Sequence, residues 1–406
     1  MNKYQIAQKK PLTPEITQIS VYAPLVAAKA KAGQFIILRV SEEGERIPLT
    51  ISNAENDLVT VIYQKIGGTT LALDELNEGD CLHDFVGPLG VPTEVEDLGR
   101  VAVLGGGVGC AIALPAAKAF LEAGIHVACD KPLCLTAEQA KELETLAEEK
   151  GLLFLVTYTY MGHVTAKHIR RYIAEGKLGK IRTVMAEYPQ GWLAYEGEWG
   201  GKQGEWRCDP KQSGGVNCLG DLGTHVENAV SMLTGLKIKR VLAKMDVVVP
   251  GRVLDDNDVV LVEYEGGATG CYWTSQFAIG HDNDLRVRIY GENGSILWKQ
   301  EECEKVTMIS RDGTIVERHR GGGGIEPEAA KYGRLPAGHT EGWLESMGNL
   351  YRSFMECLHA KKDGTFEPGM IDFPTVHDGA EGVRFVQACL QSNEKGNAWV
   401  TMDENA

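Results

Sequence analysis

Residues 100–132 decide the fold of this chain, and they read RVAVLGGGVGCAIALPAAKAFLEAGIHVACDKP. An apolar run enters a glycine-rich turn, a helix-like segment follows, and a second apolar run, HVACD, ends just before Lys131-Pro132. A buried strand, a glycine turn and a helix in this order are typical of a nucleotide-binding βαβ unit. The stretch therefore predicts an α/β layer built on a parallel sheet.

The turn consists mainly of glycine, which allows the backbone N–H groups at a helix start to approach a pyrophosphate closely. We predict that four glycines bind a dinucleotide cofactor: Gly105, Gly106, Gly107 and Gly109. Cys110 stands where the motif has a further glycine, so a tight turn without a ligand is the alternative. Asp130 follows the turn by about 20 residues, the usual spacing of the carboxylate that binds the ribose.

The regions on either side of this unit have a different pattern of apolar and polar residues. Residues 1–98 contain short runs of alternating apolar and polar residues, which predict a small antiparallel β-barrel. After about Gly235, further strand-like runs with hairpin signals predict a large antiparallel sheet, and two helical segments follow. The expected fold class is α/β plus β: a barrel at 1–98, a nucleotide-binding layer at 99–189 and an α+β domain at 190–406.

The composition is that of a globular protein, with 43% hydrophobic and 24% charged residues. The formal net charge of −15 makes a nucleic-acid partner unexpected, because acidic surfaces repel phosphate backbones. No apolar run is long enough to cross a membrane and the N-terminus lacks an apolar signal, so we expect a cytoplasmic protein. The 10 cysteines include no Cys-x-x-Cys pair, and the sequence predicts no metal site.

Three motifs stand in the first part of the chain: Arg46-Ile47-Pro48-Leu49-Thr50-Ile51, Gly67-Gly68-Thr69-Thr70 and Val86-Gly87-Pro88-Leu89-Gly90. With them, residues 1 to about 127 resemble the ferredoxin–NADP reductase-like flavoproteins, especially the electron-transfer subunits that accompany dihydroorotate dehydrogenase. In that family the nucleotide domain continues and ends in cysteines that hold an iron–sulfur cluster, whereas here the resemblance stops near Val127. The resemblance implies FAD bound by Arg46, Pro48, Leu49, Thr50, Gly68, Thr69 and Thr70.

A second set of motifs comprises Asp130-Lys131-Pro132, Gly176-Lys177-Leu178-Gly179-Lys180-Ile181 and Gly220-Asp221-Leu222-Gly223-Thr224-His225. With them, residues from about 118 to 406 resemble the Gfo/Idh/MocA oxidoreductases, which use NAD or NADP to oxidise or reduce sugars and polyols. The resemblance implies that Lys131, Asp221 and His225 are catalytic and that Pro132 lies at the cofactor. It also implies a homo-oligomer formed through the C-terminal sheet.

The residue types suit this chemistry. Hydride transfer from an alcohol carbon needs a base for the hydroxyl proton and a cation or donor at the forming carbonyl oxygen. Asp221 and His225 are four residues apart and would share one helix face, while Lys131 would polarise the oxygen. A helix cap at Asp221 and a core histidine at His225 are the structural alternatives. Five residues are candidates for a sugar pocket, with structural roles as the alternative for each: Tyr160, His163, Trp192, Trp206 and Arg207.

The two resemblances meet within one βαβ unit, near residues 118–128. The strand Arg100–Leu104 would serve as strand 1 of a doubly wound sheet and His126–Asp130 as strand 4, which are neighbours joined by one crossover helix. The strands that build the adenosine side are then missing, so we expect a truncated Rossmann-like layer with weakened nicotinamide affinity. In this arrangement Asp130 would not bind the ribose and would instead lie beside Lys131 in the active site.

Three functions remain open. The first is NAD(P)-dependent hydride transfer to or from a sugar or polyol, with an appended flavin-binding-like barrel. The second is an FAD-dependent module that passes electrons between NAD(P)H and a redox protein partner. The third is an inactive fusion or scaffold whose nucleotide site is incomplete.

Overall fold

The computed structural model describes residues 1–12, 16–94, 102–103, 110–195 and 201–402. The described chain forms two compact units. The first contains Met1–Leu135, Lys141–Phe154 and Lys202–Asn217, and the second contains Thr136–Ala140, Leu155–Gly201 and Cys218–Ala406. The four glycines predicted to bind the cofactor lie outside the described residues: Gly105, Gly106, Gly107 and Gly109.

The N-terminal part of the first unit is one six-stranded antiparallel sheet with two short helices. Its strands are β1 (Ile6–Pro11), β2 (Ile16–Tyr22), β3 (Phe35–Arg39), β4 (Ile47–Glu55), β5 (Leu58–Gln64) and β6 (Asp84–Leu89). The helices are α1 (Pro24–Ala27) and α2 (Gly68–Glu75). Alternate residues of the paired strands β2 and β5 point to one core, because successive side chains of a strand face opposite sides: Ile19, Val21, Val59 and Val61.

This sheet is not the closed barrel that the sequence predicted. Its strand order is β1-β2-β5-β4-β3-β6, which leaves β1 and β6 as its two edges. Backbone hydrogen bonds from Ile6 to Asp80 and from Leu82 to Tyr4 join β1 only to the segment before β6, and the described residues contain no β1–β6 ladder. Pro88 within β6 has no N–H to donate, which is typical of an edge strand.

A short parallel sheet with two helices follows. Its elements are β7 (Ala102–Val103), α3 (Cys110–Glu122), β8 (Val127–Cys129), α4 (Ala137–Glu149) and β9 (Phe154–Val156), with the strands in the order β7-β8-β9. β7 and β8 are parallel, with Ala102 opposite Ala128 and Val103 opposite Cys129. This pairing confirms that the strand after Arg100 lies directly beside the strand after His126.

The remaining helices are α5 (Val164–Ala174), α6 (Gly201–Cys208), α7 (Pro210–Ser213), α8 (Thr224–Thr234), α9 (Pro327–Ala330), α10 (Trp343–Asp363) and α11 (Val376–Glu394). Nearly all of α6 and all of α7 belong to the first unit, and the others belong to the second. In the part of the chain that the structure describes, no helix has the length and apolar content needed to cross a membrane.

The second unit is built on a nine-stranded sheet in the order β17-β16-β15-β14-β10-β13-β12-β11-β18. Its strands are β10 (Ile181–Pro189), β11 (Ile238–Asp246), β12 (Asn257–Tyr264), β13 (Thr269–Ser275), β14 (Arg286–Gly291), β15 (Gly294–Lys299), β16 (Lys305–Ser310), β17 (Ile315–His319) and β18 (Val400–Thr401). The predicted antiparallel sheet is in fact mixed, because β10 pairs in parallel with β13. Residues 181–189, the last part of the range predicted for the nucleotide-binding layer, form the centre of this sheet.

One face of the nine-stranded sheet is buried beneath helices. Alternate residues such as Val184, Val260 and Ile289 lie in a single hydrophobic core with residues of α5, α8 and α11. The opposite face carries Val259 and Leu261, which are 38% and 42% exposed. The helix-covered face therefore positions α8, whose first turn carries His225, and the turn before α8, which contains Asp221.

Candidate active site

Asp221 and His225 lie on one wide helical turn and the helix that continues it. Residues Leu219–Gly223 form a π-helical turn, and α8 follows directly. The turn is anchored at its first residue, where the Leu219 N–H donates to the Asp255 carboxylate over 2.7 Å. Single π-helical turns are rare and occur frequently at functional sites. Asp221 lies inside this turn and is not the cap of α8.

Three tyrosine rings surround the imidazole of His225. The ring centroid of His225 lies 5.6 Å from that of Tyr158, 4.9 Å from that of Tyr160 and 5.9 Å from that of Tyr188. The histidine is only 9% exposed. Edge-on and tilted contacts with aromatic rings restrict how an imidazole can rotate. Packing therefore fixes the orientation of the His225 ring.

A hydrogen-bonded network holds two of these tyrosines from behind. The hydroxyls of Tyr160 and Tyr188 are 2.6 Å apart. Tyr188 donates to the Asn283 side-chain oxygen, and the Asn283 amide donates to the Tyr160 hydroxyl over 3.0 Å. The Gln190 amide donates to Asn283 over 2.8 Å, and the Trp192 indole donates to Gln190 over 2.6 Å. The network thus runs from an indole to the phenol that contacts His225.

The direction of each hydrogen bond follows from the indole, whose N–H can only donate. Gln190 must present its oxygen to Trp192 and its NH2 group to Asn283. Asn283 in turn presents its oxygen to Gln190 and its NH2 group to Tyr160. Because Tyr188 donates to Asn283, the Tyr160 proton is directed at Tyr188. Both phenol protons are therefore engaged inside the network.

The electrostatics keep these phenols neutral. Burial raises the pKa of Tyr160, and the nearby Asp221 carboxylate adds to the rise. Burial also raises the pKa of Tyr188 well above its ordinary value. The Gln276 amide donates to Asp221 over 3.4 Å and so holds this carboxylate from the β13 side. The arrangement combines a carboxylate, an oriented imidazole and an uncharged phenolic wall.

This arrangement suits proton exchange with a substrate hydroxyl. Histidine is the side chain best matched to proton transfer near neutral pH. The two phenols cannot supply a proton without breaking their own hydrogen bonds. Asp221, one helical turn before His225, adds negative charge on the same face. The cluster thus contains two proton acceptors, the His225 imidazole and the Asp221 carboxylate, and the tyrosine rings orient the imidazole.

Lys131 lies in the first unit, directly after β8. The Asp130 carboxylate accepts the Lys131 N–H over 3.0 Å, and the Lys131–Pro132 peptide bond is cis. These residues follow the carboxyl end of a parallel strand, the edge at which open α/β sheets bind their ligands. Asp221 and His225 belong to the second unit.

Two of the predicted sugar-pocket residues belong to the network around His225. Tyr160 is its innermost member, and Trp192 is its outer anchor. His163 has different surroundings, since it is 5% exposed and its ring centroid lies 6.1 Å from that of Trp298. Burial lowers the pKa of His163 to about 4. Its environment is that of a neutral core histidine.

The other two predicted pocket residues lie on α6 in the first unit. The Arg207 guanidinium stacks 4.3 Å from the centre of the Trp206 ring. Both side chains donate to the Gln203 side-chain oxygen, over 3.1 Å from the indole and 2.6 Å from the guanidinium. The helix thus organises these two residues into one local cluster.

The predicted flavin residues lie in the N-terminal sheet and its α2 turn. Arg46 forms an ion pair with Asp84 over 2.8 Å, and the Thr70 hydroxyl accepts the N–H groups of Ile66 and Gly67 over 3.0 Å. Thr70 therefore serves as a cap of α2. Apart from the neighbouring residues and the backbone of α2, no atom of the described residues lies within 4 Å of a Cβ placed on Gly67 or Gly68, so the start of α2 is open. Pro48, Leu49 and Thr50 lie on β4, and Thr69 lies in the first turn of α2.

Sequence reasoning missed Tyr188, Gln190, Asn283 and Gln276, which complete the network or contact Asp221. Tyr188 is in β10, and Asn283 is in the loop between β13 and β14. Backbone hydrogen bonds from Gln190 to Ser275 and from Ala278 to Gln190 bring these segments together. The parallel pairing of β10 with β13 produces this contact, and no local pattern in the sequence predicts that pairing.

Two protein-family models match the chain. The model of the GFO/IDH/MocA C-terminal domain matches residues 166–297. The model of the oxidoreductase family with an NAD-binding Rossmann fold matches residues 114–158. Together these matches cover the parallel layer from α3 to β9 and the first part of the nine-stranded sheet.

Characterised and uncharacterised relatives agree with these matches. The uncharacterised oxidoreductase YfiI of Bacillus subtilis (strain 168) is 35% identical over 288 residues, which cover 70% of this chain and 73% of YfiI. Levoglucosan dehydrogenase of Pseudarthrobacter phenanthrenivorans is 27% identical over 215 residues, which cover 47% of this chain and 54% of that enzyme.

Solved structures of an inositol dehydrogenase homologue from Azotobacter vinelandii share the fold. Its complex with NAD+ has a TM-score of 0.68 and 34% identity, covering 74% of this chain and 78% of that chain. Its complex with NADH and myo-inositol has a TM-score of 0.65 and 34% identity, covering 74% and 77% of the two chains.

The N-terminal segment resembles a different protein. The electron-transfer subunit homologue of dihydroorotate dehydrogenase B from Thermotoga maritima is 40% identical over 125 residues. The match covers 30% of this chain and 44% of that protein. The chain thus joins a segment like an electron-transfer subunit to the domains of an oxidoreductase.

Proposed function

Because the chain belongs to the GFO/IDH/MocA oxidoreductases, we propose that it transfers a hydride between NAD(P) and an alcohol carbon of a sugar or polyol. The observation that carries the proposal is the enclosure of His225 by neutral tyrosines one turn after Asp221. A base held in this way is suited to one substrate hydroxyl.

In the direction of oxidation, His225 takes the proton of the substrate hydroxyl as the C–H bond breaks and a carbonyl forms. Tyr160 holds the imidazole in place through ring contact, and its hydroxyl stays bound to Tyr188. Asp221 stabilises the imidazolium that results, because an adjacent carboxylate favours the charged ring. In the reverse direction His225 returns the proton to the alkoxide.

The described residues fit a nicotinamide cofactor at the parallel layer. The 13-residue helix α3 begins at Cys110, the residue that follows the glycine run in the sequence, and the first N–H groups of a helix are free to bind phosphate. Bound NAD(P)+ would supply the hydride acceptor. Lys131, shortly after β8, would polarise the substrate oxygen. Asp130 and Pro132 would hold the Lys131 backbone on the cofactor side.

The substrate class is supported by the relatives and by the site's polarity. The Azotobacter vinelandii homologue was solved with NADH and myo-inositol, and a second relative is a levoglucosan dehydrogenase. Both compounds are ring-shaped and carry several hydroxyls. The side-chain amides of Gln190 and Asn283 beside the tyrosines, and that of Gln276 beside Asp221, make these surroundings polar.

The test is NADH or NADPH formation with a panel of inositols, hexoses and anhydrosugars. We expect turnover with at least one cyclic polyol and a loss of at least about a hundredfold in kcat for His225→Gln. His359→Gln, which changes an exposed histidine of α10, is the matched control and should retain wild-type activity. Equal activity of His225→Gln and the wild type would refute the role of His225.

A second function belongs to the N-terminal unit. The 40% identity to an electron-transfer subunit homologue and the open glycine start of α2 favour a bound flavin phosphate there. Arg46 would have to exchange its Asp84 partner for the ligand. Purified protein that carries a flavin absorption spectrum, bleached by NADH, would support electron transfer to a redox partner. Colourless protein that does not bind added FAD would leave dehydrogenase activity as the remaining function. Protein inactive in both assays would be a scaffold.

A further inference from the structure

Asp258, on β12 in the second unit, is fully buried and close to two other acidic groups. Its exposed fraction is 0%, and that of Asp255 is 5%. The thiol of Cys218 and one carboxylate oxygen each of Asp255 and Asp258 all lie within 4.8 Å of one another. Three acidic side chains thus converge beneath the π-helical turn that carries Asp221.

Hydrogen bonds tie this cluster to the turn above it and to β13. Asp255 accepts the Leu219 N–H over 2.7 Å, and its backbone carbonyl accepts the Cys218 N–H over 3.2 Å. Asp258 accepts the Thr274 hydroxyl over 2.9 Å with one oxygen. Its other oxygen is buried, and the further groups that interact with Asp258 are the Cys218 thiol, a weak donor, and the Asp255 carboxyl group. A buried carboxylate oxygen without a strong donor is costly unless the group carries a proton.

The charges around Asp258 also favour a protonated carboxyl group. The titratable groups that face it are Asp255, Cys218 and, from α11, Cys389. Burial raises the pKa of Asp258 well above its ordinary value, and the neighbouring Asp255 raises it further. Burial likewise raises the pKa of the Cys218 thiol. Two buried carboxyl groups this close cannot both ionise, because like charges in a dry site repel too strongly.

We propose that Asp258 is a neutral acid that shares its proton with Asp255, and that this acid pair is a positioning device for the turn carrying Asp221. The pair ties the first N–H of the turn to strands β12 and β13 through Asp255 and Thr274. Only its effect on Asp221 rests on the proposed function; the shared proton is independent of it. Asp258 acts through Asp255 and Leu219 and does not touch the substrate.

A divalent cation held by Cys218, Asp255 and Asp258 is the competing explanation. One oxygen of each carboxylate already accepts a hydrogen bond, from Leu219 and Thr274. The cluster supplies three ligand groups, whereas structural zinc sites use four. The proton therefore accounts for the geometry with fewer missing partners, and metal analysis distinguishes the two explanations.

The direct test is infrared difference spectroscopy of the full chain at neutral pH, together with elemental analysis. The wild type should show the C=O band of a protonated carboxyl group that Asp258→Asn lacks. The buried Glu227, whose pKa burial also raises, contributes equally to both spectra. Asp256→Asn is the matched control, because each Asp256 oxygen accepts a backbone N–H of its own, from Val248 and Val249. An unchanged band in Asp258→Asn, or one equivalent of metal removed by a chelator, would overturn the proposal.

The pH dependence of unfolding gives a second, activity-independent readout. A carboxyl group whose pKa is raised on folding stabilises the protein at low pH, and this contribution is lost as pH rises through the folded-state pKa. Asp258→Asn keeps a donor and removes the titration, so its unfolding free energy should not show this loss. The same pH slope in Asp258→Asn and the wild type would contradict proton sharing.

Kinetics then test the positioning role. Asp258→Leu, which removes the donor, should lower kcat at least fivefold with KM unchanged, and Asp258→Asn should recover most of that loss. Equal kcat for Asp258→Leu and the wild type would contradict positioning. If the wild type oxidises no polyol, the proposed function fails. The infrared and unfolding results still decide whether Asp258 is protonated.

Discussion

The ring of Tyr160 lies against the imidazole of His225, with the two ring centroids 4.9 Å apart. The far end of the same phenol is held by Asn283 and Tyr188. A change at the hydroxyl end is therefore expected to reach the imidazole through the tyrosine ring. This relationship makes the network testable without altering His225.

Tyr160→Phe should lower kcat roughly tenfold, about 1.4 kcal/mol of transition-state stabilisation, with a smaller effect on KM. The ring contact with His225 remains, but the Asn283 amide and the Tyr188 hydroxyl lose a partner. Steady-state kinetics with the best polyol measure the effect. Tyr351→Phe, which changes an exposed residue of α10, is the control, and equal kcat values for the two variants would argue against the network.

Trp192→Phe distinguishes a stacking role from a positioning role. The substitution keeps an aromatic face and removes the N–H that orients Gln190. If the indole only stacks on the sugar, kcat and KM should hardly change. We expect a drop of roughly fivefold in kcat, because the Gln190 amide becomes free to flip.

The control for Trp192→Phe is Trp273→Phe. The Trp273 indole donates to Asn257 over 2.9 Å, so this variant loses a similar hydrogen bond between β13 and β12. That bond has no link to His225, and wild-type kcat is expected. A fall of similar size in both variants would mean that any lost indole hydrogen bond is sufficient.

The stability of the second unit should fall in acid because of His163. Burial lowers its pKa from 6.5 to about 4, so the unfolded chain binds a proton between these values while the folded chain does not. The stabilisation is present above about pH 6.5 and is lost as the pH falls towards 4. Each such histidine should cost about 2 kcal/mol between pH 7 and pH 5.

Urea unfolding at these two pH values measures the effect. His163→Phe, which fills the same core position against Trp298, should lower the pH dependence by about that amount. His168 adds a similar term, since its pKa is also lowered to about 4, mainly by burial. An unchanged pH dependence in His163→Phe would show that His163 is protonated in the folded state.

Nicotinamide affinity should be weak. The described parallel sheet has three strands, whereas a doubly wound dinucleotide fold has six and uses two of them for the adenosine side. We expect dissociation constants for NADH and NADPH at least about tenfold above those of a full-length relative. Titration followed by NADH fluorescence tests this, and affinity equal to that of the relative would show that other residues bind the adenosine.

We propose that the open face of the nine-stranded sheet joins two or more copies of the chain. Val259 lies beside Trp273, Trp273 beside Glu187, and Glu187 beside Arg286, so one row of this face combines apolar and ion-pairing groups. Leu261→Glu should convert the oligomer to monomer in sedimentation velocity experiments. Leu344→Glu, on α10, should not, and a monomeric wild type would contradict the proposal.

The sequence predicts local elements of this fold well. The strand before the glycine turn, the helix after it and the strand just before Asp130 all follow from apolar periodicity. The pairing of β7 with β8 also follows, because one crossover helix allows few alternatives. Local periodicity and connection rules are therefore sufficient for the parallel layer.

Long-range pairing is what the sequence does not contain. A strand such as β10 reads the same whether it joins the parallel layer or the nine-stranded sheet, and only tertiary packing decides. Barrel closure depends likewise on how two edges meet, not on any one strand. Asn283 entered no prediction because its partners Tyr160 and Gln190 are distant in sequence. For the site, residue types indicated Asp221 and His225, while the groups that orient them depend on the fold.

The measurement that tests the central claim most directly is isotope transfer. A cyclic polyol deuterated at its oxidisable carbon is incubated with NAD(P)+ and the wild-type protein or His225→Gln, and the reduced cofactor is analysed by mass spectrometry. The account predicts deuterium in the NAD(P)H formed by the wild type and almost none with His225→Gln. Reduced cofactor without deuterium, or equal labelling by both proteins, would contradict it.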